Sequence, residues 1–227
     1  MSYVIEPKGP VVVPVTASQS LFPVHRIYCV GKNYAAHVRE MGSDPSREAP
    51  CFFMKPTDAV VLDGRMPYPP GTSNLHYEGE LVIAIGKGGA SISAATALDH
   101  VYGYALGLDM TRRDLQTASG QRGQPWDTGK GFDFSAPLSA ITPVAQCGHF
   151  SKGAIQLWVN QQIRQDADLD ELIWKNHEII SELSRLYTLV PGDLIFTGTP
   201  AGVGAVVRGD HIRLAIAGLG ELEVSIV

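Results

Sequence analysis

Residues 74–89 read NLHYEGELVIAIGKGG. Side chains two apart in a strand share a face, so Glu78 and Glu80 project together while Leu81, Ile83 and Ile85 point the other way. This two-residue period makes the stretch a strand. Working outward, similar short, β-branched runs occur at HRIYCV (25–30), CFFMKP (51–56), VYGYALGLD (101–109), IQLWVN (155–160) and DLIFTGT (193–199). A closing pair, HIRLAIA (211–217) and ELEVSIV (221–227), reads as a hairpin across Gly218-Leu219-Gly220. The 24 glycines and 15 prolines punctuate these runs, as expected of a strand-rich chain.

Between Asp168 and Tyr187 the period changes. Leu169, Leu172, Ile173, Ile179, Ile180, Leu183 and Leu186 recur at helical spacing, with Asp168 and Glu171 placed to form a capping box. Shorter helices are predicted at Tyr34–Met41, stopped by Gly42, and at Arg112–Thr117. The class is therefore α+β with a large, mostly β core. Residues 44–50 (DPSREAP) and 118–129 (ASGQRGQPWDTG) read as mobile surface loops.

Composition narrows the function. A chain of 227 residues, 44% hydrophobic and 18% charged, suits one large globular domain. The net charge of -5 and the lack of a basic stripe argue against a nucleic-acid partner. No run approaches the length of a bilayer span, and the N-terminus MSYVIEPKGPVVVPV has no basic leader and contains three prolines, so no membrane association is expected. Cys29, Cys51 and Cys147 show no metal or redox spacing, which suits reduced thiols and a cytoplasmic protein. GxSxG, HExxH and CxxC are absent, which disfavours serine hydrolases, zincins and thiol-disulfide enzymes.

What remains is a set of carboxylates. Two like charges on one strand face repel, so either cations neutralise them or they face open water. Asp109 ends an apolar strand just before a predicted helix, where it either caps that helix or turns into a cleft with Glu78 and Glu80. Three carboxylates without cysteine make a hard oxygen site for Mg²⁺, Mn²⁺ or Ca²⁺. His37 and Glu40, at i and i+3, are neighbours on one helix face, either as a base with its orienting partner or as an exposed pair. Lys130 lies among glycines, either solvated or bringing a cation to a developing enolate. The glycine-rich TGTPAGVG (197–204) matches no nucleotide motif, but its amides could hold a carboxylate.

Taken together, YCVGKNYAAHVREMG (28–42), FFMKP (52–56), NLHYEGELVIAIGKGG, YGYALGLDMTRRDLQ (102–116), PWDTGKGFDFSAP (125–137) and GDLIFTGTPAGVG (192–204) resemble the fumarylacetoacetate hydrolase family. The similarity is to its short branch of acylpyruvate and fumarylpyruvate hydrolases and oxaloacetate decarboxylases. It runs from about Phe22, leaving 1–21 as an extended N-terminal segment and 22–227 as the catalytic domain. The resemblance implies a mixed β-roll, a homodimer, and a divalent metal, Mg²⁺ first among candidates, on Glu78, Glu80 and Asp109. It further implies water activation by His37 and Glu40, assistance to the enolate by Lys130, and substrate contacts at Arg113, Gly198 and Thr199. The implied substrate is a small-molecule 2,4-diketo acid, with fumarylpyruvate preferred; the alternative is an oxaloacetate decarboxylase or a 2-oxo-enoate isomerase or decarboxylase. One departure stands out. Many relatives carry two histidines before the first glutamate, whereas the second is Tyr77 here, which implies altered surroundings for the metal.

Overall fold

The computed structural model describes residues 3–42, 44–45 and 48–227. Its frame is a six-stranded sheet in the order Thr142–Pro143, Val101–Leu108, Gly79–Ile85, Leu194–Phe196, Ile27–Gly31, Cys51–Lys55. Every pairing in it is antiparallel except that of Leu194–Phe196 with Ile27–Gly31. A five-stranded sheet follows the order Gln162–Asp168, Ala154–Val159, His211–Ile216, Gly220–Ile226, Arg65–Met66, and contains the closing hairpin. A small third sheet joins Thr111–Arg112, Leu75–Tyr77 and Gly204–Val206.

The alternation read from the sequence has a direct structural consequence. Leu81, Ile83 and Ile85 belong to one core with Leu157, Leu214 and Val224 of the five-stranded sheet. Val82 and Ala84 belong to a second core on the opposite side, with Ile27, Phe196, Val13 and Val15. The strand Gly79–Ile85 is thus buried along its whole length and on both faces, and a carboxylate on it has no route to bulk water along the sheet. At the N-terminus, Val12–Pro14 pairs antiparallel with Leu21–Pro23, which carries Val13 and Val15 into the second core.

Helices are few and peripheral. The predicted first helix forms over Ala35–Glu40. The second runs Arg113–Gln121, longer than expected, and Asp127–Lys130 is a further helical turn, so most of the predicted loop 118–129 is helical. Of the other predicted loop, Ser46 and Arg47 lie outside the described residues. The long helix is a correction. Asp168 and Glu171 do form the capping box, but around a single turn, Leu169–Glu171; the α-helix proper is Asn176–Leu186. Between them, Leu172 forms a bridge with Tyr34 and the Ile173 amide donates to the Asn33 carbonyl at 2.8 Å. Among the described residues, no helix is long and apolar enough to cross a membrane.

Candidate active site

The ends of two adjacent central strands create the site. Gly79 pairs with Leu108, so Glu78 and Asp109 leave the sheet side by side, joined by a hydrogen bond from the Asp109 amide to the Glu78 carbonyl at 2.8 Å. Gly79 separates the two glutamates because the five-stranded sheet closes on it: a Cβ there would lie 2.7 Å from a Leu214 methyl. Glu78, Glu80 and Asp109 are all buried, and one carboxylate oxygen from each lies within 4.8 Å of the others. Neither bland alternative survives: the glutamates do not form a solvated edge, and Asp109 caps no helix, since the following one starts at Arg113 without a side-chain cap.

The cations required by that charge are present. Lys130 Nζ bridges Glu78 Oε2 at 2.6 Å and Asp109 Oδ2 at 2.7 Å. Arg113 pairs with Glu78 Oε1 through Nη2, donates to Gln116 Oε1 at 3.1 Å through Nη1, and reaches His76 Nδ1 at 3.4 Å through Nε. A guanidinium only donates, so His76 Nδ1 is the acceptor and its Nε2–H donates to Asn74 Oδ1 at 2.9 Å. Burial, then the Arg113 charge, depress His76 to about 4, which keeps it neutral. Lys55, whose side chain has no exposure, lies 2.8 Å from Asp109 Oδ1 and donates to the Met110 carbonyl at 3.1 Å.

These pairings do not treat the carboxylates alike. Burial would raise Glu78, but Lys130 and Arg113 outweigh it and hold its carboxyl well below the ordinary range. Among the described residues, Glu80 has no such partner. Burial, then Asp109 and Glu78, push it well above the ordinary range, offset in part by the Gly198 amide, which donates to Oε2 at 2.7 Å. Burial also opposes the charge on Lys130, but Asp109 and Glu78 more than restore it. The Lys55 contact with Asp109 Oδ1 is not aligned as a hydrogen bond, and that oxygen has no aligned donor. A divalent cation fits this donor set: three hard oxygen donors, one of them with no cation paired to it among the described residues and another with an uncommitted oxygen.

A cavity of about 540 Å³ opens over these groups, with His37, Trp126 and Thr199 also in its wall. Phe53 and Trp126 meet edge to face, and Lys130 Nζ sits 5.0 Å from the Phe53 ring centre, giving the site an apolar side. Helix Ala35–Glu40 carries His37, 7% exposed, with Nδ1 3.0 Å from Glu40 Oε2. A carboxylate accepts only, so Nδ1 carries the proton of this hydrogen bond, and Nε2 is the ring nitrogen not engaged by Glu40.

The structure thus brings His37, Glu78, Glu80, Asp109, Arg113, Lys130 and Thr199 to one cavity, with Gly198 and Glu40 bonded directly to members of the set. Arg113, Gly198 and Thr199 are all engaged with the glutamate strand: Arg113 through Glu78, Gly198 through Glu80, and Thr199 by a 3.0 Å hydrogen bond to the Gly79 carbonyl. The TGTPAGVG amides do hold carboxylates, namely those of the protein's own Glu80 and Glu40, the latter through the Gly202 amide at 3.0 Å. Three supporting residues went unread: Lys55, Gln165 and Asn33. Gln165 has no exposure; it accepts from the Gly79 amide and donates to Thr199 Oγ1 and the Pro200 carbonyl. Asn33 ties Thr197 to Trp174. For Lys55 a signal existed, because paired carboxylates demanded a buried cation.

Residues 26–227 match the family model described as fumarylacetoacetate (FAA) hydrolase C-terminal, and the chain belongs to that family. Fumarylpyruvate hydrolase of a Ralstonia species is 49% identical over 184 residues, covering 81% of this chain and 95% of that one. Mitochondrial oxaloacetate tautomerase of Homo sapiens is 43% identical over 194 residues, covering 85% and 87%. Among solved structures, fumarylpyruvate hydrolase from Pseudomonas aeruginosa in complex with Mn²⁺ and pyruvate superposes with a TM-score of 0.98 at 53% identity, covering 100% of this chain and 99% of that one.

Proposed function

We propose that this protein hydrolyses the carbon-carbon bond of a 2,4-diketo acid, fumarylpyruvate in particular, to fumarate and pyruvate. The observation that carries the reading is the buried carboxylate trio, one cavity wall away from a histidine oriented by a glutamate. Support comes from the relatives named fumarylpyruvate hydrolase at 49% and 53% identity.

Glu78, Glu80 and Asp109 would hold a divalent cation, Mg²⁺ as the physiological ion with Mn²⁺ able to replace it. When bound, that ion supplies positive charge against the charge developing on the pyruvate half of the substrate. Count the buried charges: three carboxylates face Lys55, Lys130 and Arg113, so the protein shell is close to neutral once Glu80 ionises. A divalent ion then leaves two positive charges to match a dicarboxylate. His37 Nε2 takes a proton from water while Glu40 fixes the ring and stabilises the imidazolium. The water oxygen adds to the 4-carbonyl carbon, the bond between carbons 3 and 4 breaks, and its electron pair passes to the pyruvate enolate, which Lys130 stabilises as it is reprotonated at carbon 3. Arg113, Gly198 and Thr199 contribute to substrate binding by setting the strand on which the ligands sit. Water is limited by Phe53, Trp126 and the His37 helix over the cavity.

A second reading is chemistry on oxaloacetate, favoured by the relatives at 43% and 40% identity named oxaloacetate tautomerase and oxaloacetate decarboxylase. Supplying fumarylpyruvate and oxaloacetate separately, quantifying pyruvate, fumarate and CO₂ and following the enol absorbance of oxaloacetate, separates the two. Equal pyruvate and fumarate from the first substrate is the expected result, and CO₂ from oxaloacetate with no cleavage of the diketo acid would overturn it.

A further inference from the structure

Tyr77 directly precedes Glu78, the first glutamate of the carboxylate trio. Its ring is 3% exposed, and its hydroxyl donates to the Gly202 carbonyl at 2.9 Å. The amide of that same residue donates to Glu40 Oε1 at 3.0 Å, and Glu40 Oε2 holds His37 Nδ1 at 3.0 Å. A continuous path of three hydrogen bonds therefore runs from the glutamate strand, through one glycine, to the histidine.

The glycine is fixed on its other side as well. Gly202 has φ +95°, and a Cβ on it would fall 1.9 Å from the Arg164 carbonyl oxygen, so only glycine can lie against the strand Gln162–Asp168. Tyr77 holds the peptide that follows this glycine and Glu40 the peptide that precedes it, so the two hydrogen bonds clamp Gly202 from both sides. The helix at the other end needs this support. It has six residues, too few for stability alone, and buries only His37 and Val38. Among the described residues, the Gly202 contact is the one side-chain hydrogen bond that joins this helix to the rest of the protein. The same loop also presents Gly198 to Glu80, so one short segment serves both the proposed metal ligands and the proposed water-activating pair.

We propose that Tyr77 is a positioning residue for the His37–Glu40 pair, acting through Gly202, whose carbonyl it binds and whose amide binds Glu40, to hold the helix Ala35–Glu40 over the cavity. The assignment rests on the hydrolase reading for its catalytic consequence, but the mechanical link stands apart from it. Tyr77→Phe keeps the ring and deletes the hydroxyl. Amide hydrogen exchange at Gly202 and across Val38–Gly42 should quicken by roughly 2- to 13-fold, the range one hydrogen bond contributes. Metal affinity should be unchanged. Turnover of fumarylpyruvate should fall by a comparable factor, in kcat more than in KM.

Glu40→Ala removes the far end of the path, so adding Tyr77→Phe to it should cause no further loss, whereas additive losses would show that Tyr77 acts elsewhere. Tyr77→His, with a ring too short to reach Gly202, should repeat the exchange result with a different aromatic ring. Unchanged exchange in both Tyr77 variants would overturn the proposal even if the enzyme hydrolyses fumarylpyruvate. Faster exchange in a protein that does not hydrolyse it would uphold the link and overturn the hydrolase reading alone.

Discussion

Lys55→Met tests whether the carboxylate trio is held by charge. The methionine fills a similar volume, but Asp109 Oδ1 loses the ammonium 2.8 Å away and the Met110 carbonyl loses its donor. Removing one partner of a buried ion pair costs about 3–5 kcal/mol, since the other charge stays buried without compensation. Asp109 retains Lys130 on Oδ2 at 2.7 Å, which places the loss near the lower end, about 3 kcal/mol. For a domain of this size each kcal/mol lowers Tm by roughly 2–4 °C, giving a drop of roughly 6–12 °C. The assay is thermal unfolding in EDTA, with urea unfolding as a check on the free energy. Added Mg²⁺ at one hundred times its Kd stabilises a binding-competent fold by about 2.7 kcal/mol, so a variant that still binds should regain much of the loss. A change below about 1 kcal/mol in EDTA would refute the reasoning, because it would mean that Asp109 is satisfied without Lys55.

Two other predictions concern the division of labour. Glu80→Ala should lower Mg²⁺ and Mn²⁺ affinity at least about 10-fold in isothermal titration while the circular dichroism spectrum is kept; an unchanged titration would remove Glu80 from the ligand set. His37→Ala should bind metal as the wild type does yet lose about 10²-fold or more in hydrolysis, the range of a lost general base. A joint fall of metal affinity and rate would mean that the roles are misassigned.

The strand Gly79–Ile85 was legible from its apolar run, which is buried on both faces, although the predicted strand breaks at Glu78, where the chain passes from the small sheet into the large one. The grouping of the three carboxylates followed from two strand ends, and the structure adds that neighbouring register is what joins them. The strand Gln162–Asp168 was missed for a physical reason: its one fully buried side chain is Gln165, which makes hydrogen bonds instead of packing, so the run lacks the apolar alternation that marks a strand. The long helix was overextended because Leu169 and Leu172 point into the core from a turn and a bridge, whose spacing mimics a helical face. The lone lysine in a glycine-rich loop left Lys130 open between solvent and site, and the demand of the paired carboxylates for a cation did not say which lysine meets it; tertiary packing buries both Lys130 and Lys55 against them. Tyr77 registered as a departure, while its link to Glu40 depends on a loop more than a hundred residues away.

The central claim is that the buried trio makes hydrolysis metal-dependent. Its most direct test is to strip the protein with EDTA, remove the chelator, and follow fumarylpyruvate with pyruvate and fumarate quantified together, before and after Mg²⁺ or Mn²⁺ is added. The account predicts no turnover in the stripped protein and restored release of the two products in equal amounts on addition of either ion. Full turnover by the stripped protein, with no response to either ion, would contradict it.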